Sequence, residues 1–455
     1  MAEGSWQAVF VREQNAEQVG RQPGRKRPGR ARTRVPLWTG LLLLLCLGDV
    51  SSVFGQRVVA ERVEGNRRTK PWVILRELKT QVGDSVTPSD LEVDRDRVLN
   101  LGLFERAEVT LHPGPEGDTL VVRVWERWYI FPFPILFANE HDLRKLSYGL
   151  GLAHFNFRGR AEIVSVVGWL GYNPALRFSY SNPWFGGKHR LLGSLEVFWS
   201  SIQGKSLEFP EYHEKQRGVK VRFGKRFSYG TYVVGLAGYT LRRTDPPDLG
   251  VTIDPGGRDA FGSLGLLAIF DGRDFRPYPW RGYYVESLLK QNGFGAPLID
   301  YTRLVLDTRG YLPLPVGSLG LRVVTKLSRG RVPVYDRVYI GYEERVRGHF
   351  AKRLEGDDMG LGSVEWKVTL LPLRYWPAPT YLPLTTALKF GLNASVFYDV
   401  AAVWRRGQSA RAGTWLHGFG VGLHVRVPYA EVVRLEAAFD EKGKAEFILD
   451  VGKAF

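Results

Sequence analysis

Two kinds of hydrophobic spacing divide the chain near residue 128. Before this point apolar residues recur at helical spacing in two short segments, whereas after it they recur at every second position, with Gly, Pro, Asn and Asp between the alternating segments. Helical spacing predicts amphipathic helices, and strict alternation predicts strands with two different faces. The sequence therefore predicts a small α/β module followed by a long all-β domain.

The α/β module, residues 56–127, is predicted to run strand, helix, helix, strand, strand. Residues 58–63 read as the first strand, and Thr69 is expected to cap a helix with Pro71 in its first turn that ends at Gly83. Thr87 is expected to cap the second helix, with an acidic residue three positions later. Two strands are predicted around residues 107–111 and 119–125.

The alternation after residue 128 is clearest in residues 418–427, where Phe, Val and Leu alternate with Gly, His and Arg. A soluble sandwich would turn the apolar face inward, whereas a transmembrane barrel turns it toward lipid. A predicted export signal, a charged and glycine-rich second face, and tryptophans near segment ends favour lipid. These tryptophans, expected to form aromatic girdles, are Trp184, Trp199, Trp280, Trp366, Trp404 and Trp415. At roughly 20 residues per strand and turn, residues 128–455 predict an antiparallel transmembrane β-barrel of about 16 strands.

Residues 1–55 are predicted to be a secretory signal with a basic leader. A basic block at 25–34 precedes an apolar run at 41–47 and the small residue Gly55, after which cleavage is expected. The alternative is an N-terminal membrane anchor, but Asp49 stops the apolar run well short of a bilayer's thickness. The single cysteine, Cys46, lies inside this segment, so the cleaved chain would contain no disulfide.

Composition excludes several functional classes. Of the 455 residues, 44% are hydrophobic and 24% charged, which argues against disorder. The net charge is +16, but no basic helix or cluster follows residue 35, so nucleic acid is not an expected partner. The eight histidines are dispersed, and no HExxH, GxSxG or phosphate-loop motif occurs, so we expect no enzyme activity, no cofactor and no metal site.

Several short motifs occur in a characteristic order. They are Asn-Phe-Arg-Gly at 156–159, Ser-Asn-Pro-Trp-Phe at 181–185, Asp-Gly-Arg-Asp at 271–274, Val-Arg-Gly-His-Phe at 346–350, Gly-Ser-Val-Glu-Trp at 362–366 and Phe-Tyr-Asp at 397–399, with Phe455 as the final residue. With these motifs the sequence resembles the outer-membrane insertase superfamily of the BamA and TamA type, in which POTRA domains precede a bacterial surface antigen barrel. The α/β module resembles one POTRA domain, whereas the best-known assembly factors have several.

The resemblance implies a location and a function. It implies a barrel in the bacterial outer membrane, with its POTRA domain in the periplasm, that inserts or assembles outer-membrane proteins. The implied partners are unfolded outer-membrane proteins, outer-membrane lipid and possible accessory periplasmic subunits. A polypeptide-secretion pore of the two-partner type and a passive porin-like or structural barrel remain alternatives. A mitochondrial assembly barrel is opposed by the predicted signal.

The resemblance also implies a site in the lumen. The loop motif, Val346, Arg347, Gly348 and Phe350, is expected to fold back into the barrel, where Arg347 pairs with Glu365 and Asp399 on the wall. A guanidinium can hold a loop in this way because it binds several acceptors at fixed angles. Without the motif, Arg347 would be interpreted as a solvated loop arginine that contributes little to stability.

A second candidate site is the seam between the first and last barrel strands, residues 128–137 and 445–455. Pro132 and Pro134 lack the N–H groups that a ladder needs, so we expect a weak seam that opens and offers client strands a template. Alternatively, the prolines only mark the exit from the module. Phe455 is either a recognition signal for insertion of this barrel or an ordinary girdle residue. The edge strand at 107–111 is either a β-augmentation site for unfolded chains or a capped edge.

Overall fold

The computed structural model describes residues 57–138, 143–349, 352–377, 387–427 and 431–451. The predicted signal and two of the predicted site residues, Phe350 and Phe455, lie outside these ranges. Within them, no helix is long and apolar enough to cross a bilayer.

The α/β module has a three-stranded sheet covered by two helices. Its elements are β1 (Val58–Glu64), α1 (Pro71–Leu75), α2 (Pro88–Leu99), β2 (Phe104–His112) and β3 (Asp118–Glu126). The strand order is β1-β3-β2, with β1 parallel and β2 antiparallel to β3. Val58, Ile74, Leu99, Phe104 and Leu120 form the centre of its apolar core. The module has the predicted order of elements, and β2 lies at one edge of its sheet.

The two helices differ in how well the sequence predicted them. Helix α2 starts after Thr87, whose backbone N–H donates to the Asp90 carboxylate (3.1 Å), as predicted. The prediction for α1 was wrong, because the helix starts after Lys70 and ends at Leu75. The Thr69 hydroxyl does not cap it, since this group bonds Tyr129 Oη (2.9 Å) instead.

Sixteen antiparallel strands form one sheet, as predicted. They are β4 (Ile130–Ala138), β5 (Leu146–Phe157), β6 (Glu162–Gly171), β7 (Ala175–Phe185), β8 (Leu191–Gln203), β9 (His213–Ser228), β10 (Thr231–Asp245), β11 (Arg258–Asp271), β12 (Gly282–Phe294), β13 (Tyr301–Pro313), β14 (Ser318–Gly330), β17 (Asp358–Pro377), β18 (Ala387–Trp404), β19 (Thr414–Val427), β20 (Glu431–Asp440) and β21 (Ala445–Val451). Two short strands, β15 (Val338–Ile340) and β16 (Leu354–Gly356), pair within the connection from β14 to β17.

The two faces of this sheet have opposite polarity. In β19, Phe419 and Val421 are about half exposed (48% and 53%), whereas Gly420, His424 and Arg426 face inward and the two charged or polar side chains are buried. Apolar side chains outside and polar side chains inside are the arrangement of a transmembrane barrel, not of a soluble sandwich. The predicted fold class is therefore confirmed.

Two of the predicted girdle tryptophans were wrong. Trp199, Trp366 and Trp415 are exposed on the outer face, as a girdle requires. Trp184 instead stacks on Arg76 of the α/β module, with 4.7 Å between the guanidinium carbon and the ring centre. Trp280 lies in the β11–β12 turn, with its ring centre 5.9 Å from the buried Lys367 Nζ. Both residues are next to turns, where the alternation of a strand no longer decides which way a side chain faces.

Among the residues that the structure describes, the sheet is open between its first and last strands. Over the described ranges no ladder joins β4 to β21, whereas β4 pairs with β5 along its whole length, including Pro132 opposite Leu152 and Pro134 opposite Leu150. The N–H of Phe155 in β5 donates to the carbonyl of Tyr129 (2.9 Å). Because backbone groups of successive residues point to alternate sides of a strand, the backbone nitrogens of Pro132 and Pro134 point to the open edge.

Candidate functional site in the barrel lumen

The connection from β14 to β17 carries the loop motif back into the lumen. Val346 is buried and packs with Leu361, Ala401 and Leu416 of the wall. Gly348 has φ of +93°, a conformation that favours glycine, and a Cβ there would lie 2.6 Å from the carbonyl oxygen of Phe439. The chain therefore turns sharply against the wall directly after Arg347.

Arg347 is buried and is held by three carboxylates. Its Nε and Nη2 donate to the two oxygens of Asp399 (2.7 and 2.8 Å), and its Nη1 donates to Glu365 Oε2 (2.8 Å). The structure therefore brings together the three charged residues that the sequence singled out. Nη1 also donates to Glu436 Oε1 (3.1 Å) on β20, a partner that the sequence analysis did not name.

Two further residues complete the arginine site. The Arg347 guanidinium carbon lies 3.5 Å from the ring centre of Phe397, and Nη2 donates to Ser363 Oγ (3.3 Å). Both residues belong to the motifs that contain Glu365 and Asp399. Glu436 lies outside those motifs, but the alternation in β20 puts it on the inward face beside Arg434, whose Nη1 donates to both of its oxygens (3.0 Å each).

The loop approaches the wall so closely that one wall position must be glycine. A Cβ at Gly418 of β19 would lie 1.8 Å from the Arg347 carbonyl oxygen, closer than real atoms approach. Two positions after Arg347, His349 has Nε2 at 2.9 Å from the His417 carbonyl oxygen and at 2.7 Å from Glu441 Oε2. The loop is thus fixed by shape and by charge together.

Glu365, His424 and Glu436 have ligand atoms within 4.8 Å of one another, which is close enough to hold a metal ion. Arg347 already binds Glu365 and Glu436, and Arg434 also binds Glu436. A cation placed among them would stand beside two guanidinium groups, so these residues do not fit a metal. The expectation of no metal stays a prediction.

Three of the short motifs lie where the barrel meets the α/β module. Asn156 donates from Nδ2 to Thr69 Oγ1 (2.9 Å), and Trp184 packs on Arg76. The carbonyl of Asp274 accepts from Asn100 Nδ2 (3.1 Å) at the end of α2. The module therefore lies against the ends of β5, β7 and β11, which we call the module-side end of the barrel.

A buried ion pair joins the module to the same end. Arg226 of β9 donates from Nη1 and Nη2 to the two oxygens of Glu77 (2.7 and 2.5 Å). Burial works to raise the pKa of the Glu77 carboxyl, but the hydrogen bonds and charge of Arg226, aided by Arg76, outweigh it and hold that pKa below its ordinary value. Sequence reasoning missed this pair, because 149 positions separate the partners.

Comparison with known proteins agrees with this architecture. A family model described as "Omp85 superfamily domain" matches residues 156–455, and a POTRA model described as "Surface antigen variable number repeat" matches residues 57–127. The outer membrane protein assembly factor BamA of Nitratidesulfovibrio vulgaris is 22% identical over 351 aligned positions, which cover 68% of this chain and 42% of that relative. This chain thus spans less than half of the length of that curated relative.

Two solved structures share the fold. BamA from Haemophilus ducreyi lacking POTRA domains 1–3 is 17% identical, with a TM-score of 0.52 over 87% of this chain and 83% of that one. CdiB from Escherichia coli is 14% identical, with a TM-score of 0.54 over 88% of this chain and 75% of that one. The Omp85 match begins at the end of β5 and covers residues 156–455, well over half of the chain. This chain therefore belongs to the Omp85 superfamily, with a POTRA domain in front of its barrel.

Proposed function

We propose that this protein lies in the bacterial outer membrane, with its POTRA domain in the periplasm, and assists the insertion of other outer-membrane β-strands. The observation that carries the proposal is the open edge between β4 and β21. No covalent chemistry, cofactor or nucleic acid takes part in this proposal, because burial of client strands in lipid supplies the driving force.

An open edge is a template for another strand, because its N–H and C=O groups are unpaired. On β4 the nitrogens of Pro132 and Pro134 point to this edge and have no hydrogen to donate, so a client strand forms an incomplete ladder there. An incomplete ladder is weaker than one inside the barrel and therefore favours release. Leu136 of β4 and Phe447 and Leu449 of β21 present large apolar surfaces beside the edge (69%, 86% and 71% exposed), as a path into lipid requires.

The expected partners follow from this geometry. Unfolded outer-membrane proteins would pair with the open edge of the barrel, and lipid would receive them. The strand β2, at one edge of the α/β module's sheet, would offer a second pairing surface to unfolded chains or to accessory periplasmic subunits.

A polypeptide-secretion pore is the second candidate, supported by the similarity to the fold of CdiB. Such a pore needs a path through the lumen, and the connection from β14 to β17, residues 331–357, which we call the Arg347 loop, lies across that path. A passive porin is less well supported, because the same loop, held in the lumen by Arg347, would obstruct free passage of solutes.

The experiment that tests insertion closes the seam covalently. In a Cys46→Ser background, Leu136→Cys and Phe447→Cys are joined by a short bifunctional thiol reagent, and the purified protein is placed in liposomes with an unfolded client barrel. We expect client folding, measured by heat-modifiable gel mobility, to fall to the rate in empty liposomes. Reduction of a cleavable linker should restore the rate.

A matched pair controls for cross-linking itself. Leu423 and Leu435 lie directly opposite each other in β19 and β20, so Leu423→Cys with Leu435→Cys joins strands that are already paired. This control should leave client folding unchanged. Full activity with the seam cross-linked would refute the proposal, and export of a co-expressed secreted polypeptide by that closed form would favour the secretion pore.

A further inference from the structure

The turn between β11 and β12, residues 272–281, does not stay at the rim of the barrel. Its residues fold inward from the module-side end, and Tyr278 is 2% exposed although it belongs to a turn. Turns normally lie at the surface, because a buried turn must find partners for its backbone groups inside the protein. We call residues 272–281 the inner turn.

The inner turn contacts strands across the lumen from its own. Tyr278 Oη lies 3.0 Å from His424 Nδ1 on β19, and four strands, β13, β14, β17 and β18, separate β12 from β19. Lys367 of β17 donates from Nζ to the Pro279 carbonyl (3.0 Å), and Ser318 of β14 donates to the Trp280 carbonyl (2.7 Å). These contacts require the inner turn to extend over the bore.

The inner turn is stiff. The Asp274 carboxylate accepts three backbone N–H groups, from Phe275 (2.7 Å), Trp280 (3.1 Å) and Arg281 (3.1 Å), so it ties both ends of the turn together. The charge of Lys367 is also enclosed by rings, since Nζ lies 4.6 Å from the ring centre of Tyr278. Such a turn blocks a channel better than a flexible one does.

The inner turn and the Arg347 loop are connected through His424, which lies between Tyr278 of the turn and two carboxylates that bind Arg347. His424, which contacts Tyr278 through Nδ1, has Nε2 at 4.0 Å from Glu365 and at 3.9 Å from Glu436. Both of these glutamates bind Arg347. A continuous row of buried polar contacts therefore runs from the inner turn through His424 to the loop.

The inner turn also contacts the α/β module. Asn100 donates from Nδ2 to the Asp274 carbonyl (3.1 Å) and accepts from the Arg276 N–H at Oδ1 (3.3 Å). The Asn100 side-chain amide thus bonds the turn with one donor and one acceptor, as a backbone peptide group does in a β-ladder. Any movement of helix α2 that carries Asn100 away from the barrel breaks both bonds.

We propose that the inner turn is a second plug of the lumen, in series with the Arg347 loop and held in place by Tyr278–His424, Lys367–Pro279 and Asn100. Two barriers in series keep a channel closed when either one is removed. The proposal concerns permeation alone and does not depend on whether the protein inserts or secretes its clients.

The experiment measures conductance in planar lipid bilayers for the whole protein. The turn variant is Tyr278→Ala with Trp280→Ala, the loop variant is Arg347→Ala, and a third protein combines them. We expect the wild type and both single-plug variants to conduct weakly, and the combination to conduct at least about tenfold more. Adding Asn100→Ala to the loop variant should give an intermediate conductance.

Two controls keep the test decisive. Tyr283→Ala removes an outward-facing tyrosine two residues after the inner turn and should change nothing. Heat-modifiable mobility establishes that each variant is folded, and Ser395→Cys, beside His424, reports access to the lumen in a Cys46→Ser background. A charged thiol reagent should label it rapidly only in the combination. Strong conductance from either single-plug variant, or a combination that stays closed and unlabelled, would overturn the proposal.

Discussion

Arg347 is fixed by the directions of its hydrogen bonds as much as by its charge. Its five N–H groups lie in one plane; four point to three carboxylates on β17, β18 and β20 and the fifth to Ser363 Oγ, while Phe397 covers one face. A lysine ammonium in the same place carries the same charge but cannot donate to all three carboxylates at these separations. Because the site is buried, a missing donor leaves a buried negative charge without its partner.

We therefore predict that Arg347→Ala lowers the free energy of unfolding by about 3–5 kcal/mol, the usual effect of breaking a buried ion pair, and that Arg347→Lys has an intermediate effect. The measurement is the folded fraction in urea, followed by heat-modifiable mobility in detergent micelles. Arg345→Lys, two residues away and exposed, is the control and should match the wild type. A lysine variant as stable as the wild type would show that charge alone holds the loop.

Part of this site was predictable from the sequence. Arg347, Glu365 and Asp399 each lie in a short motif, so a resemblance carried by motifs identified all three. Glu436 and His424 lie in strands whose sequences show only which side chains face inward. Which inward-facing side chains contact one another depends on the strand order and on how far the loop enters the lumen. A local sequence pattern contains neither piece of information.

Element packing makes the loop and the wall mutually dependent. Strand β19 passes so close to the loop that Gly418 leaves no room for a methyl group. The inner surface of the wall is therefore complementary in shape to this loop in its folded-back position. A change at Gly418 therefore tests the position of the loop while every charged group remains in place.

We predict that Gly418→Ala displaces the Arg347 loop and raises protease cleavage within residues 331–357 severalfold, although the three carboxylates are unchanged. The physical reason is the 1.8 Å approach between a Cβ at this position and the Arg347 carbonyl oxygen. Gly310→Ala, at a wall position where a Cβ meets no atom within 4 Å, is the matched control. Equal cleavage of both variants would contradict the prediction.

At the scale of elements, alternation predicted the sheet well and the turns poorly. The strands of residues 128–455 were recognisable because every second residue faces lipid, which imposes one rule on the whole wall. Trp184 and Trp280 were misassigned because they contact the α/β module and the lumen, where no lipid imposes that rule. Helix α1 is shorter than predicted for a similar reason. The side chains of Thr69, Arg76 and Glu77, near its two ends, contact residues that are distant in the sequence, and a local pattern does not show such contacts.

At the scale of the whole molecule, two acids of the α/β module that lie near the barrel, Asp96 and Glu77, have shifted pKa values, so docking of the module is expected to respond to pH. Burial raises the pKa of Asp96 in helix α2 to about 6, Arg95 opposes the shift, and the charges of Asp274 and Glu92 add to it. An acid with a raised pKa in the docked state takes up a proton on docking, so docking weakens as the pH rises through 6. Glu77, whose pKa is lowered, acts in the opposite direction but only below its ordinary value of 4.5.

We predict that the docked population of the module is larger at pH 5 than at pH 7.5, with an effect of at most about 1.4 kcal/mol over this interval. Spin labels at Val93→Cys in α2 and Lys188→Cys in the β7–β8 turn, in a Cys46→Ser background, report the population by pulsed dipolar spectroscopy. Asp96→Asn keeps the shape of the side chain and should make the distance distribution the same at both pH values. A wild-type distribution that does not change with pH would rule out this role for Asp96.

The polarity of successive residues has a consequence for an exported chain before it folds. Because small, polar or charged residues recur throughout the wall strands, residues 128–455 contain no unbroken apolar run of the ~18 residues that would hold a segment in the first membrane it crosses. The newly made polypeptide can thus be threaded through the inner bilayer without stopping there. The chain presents a continuous apolar surface only after neighbouring strands pair, because their apolar faces then lie side by side.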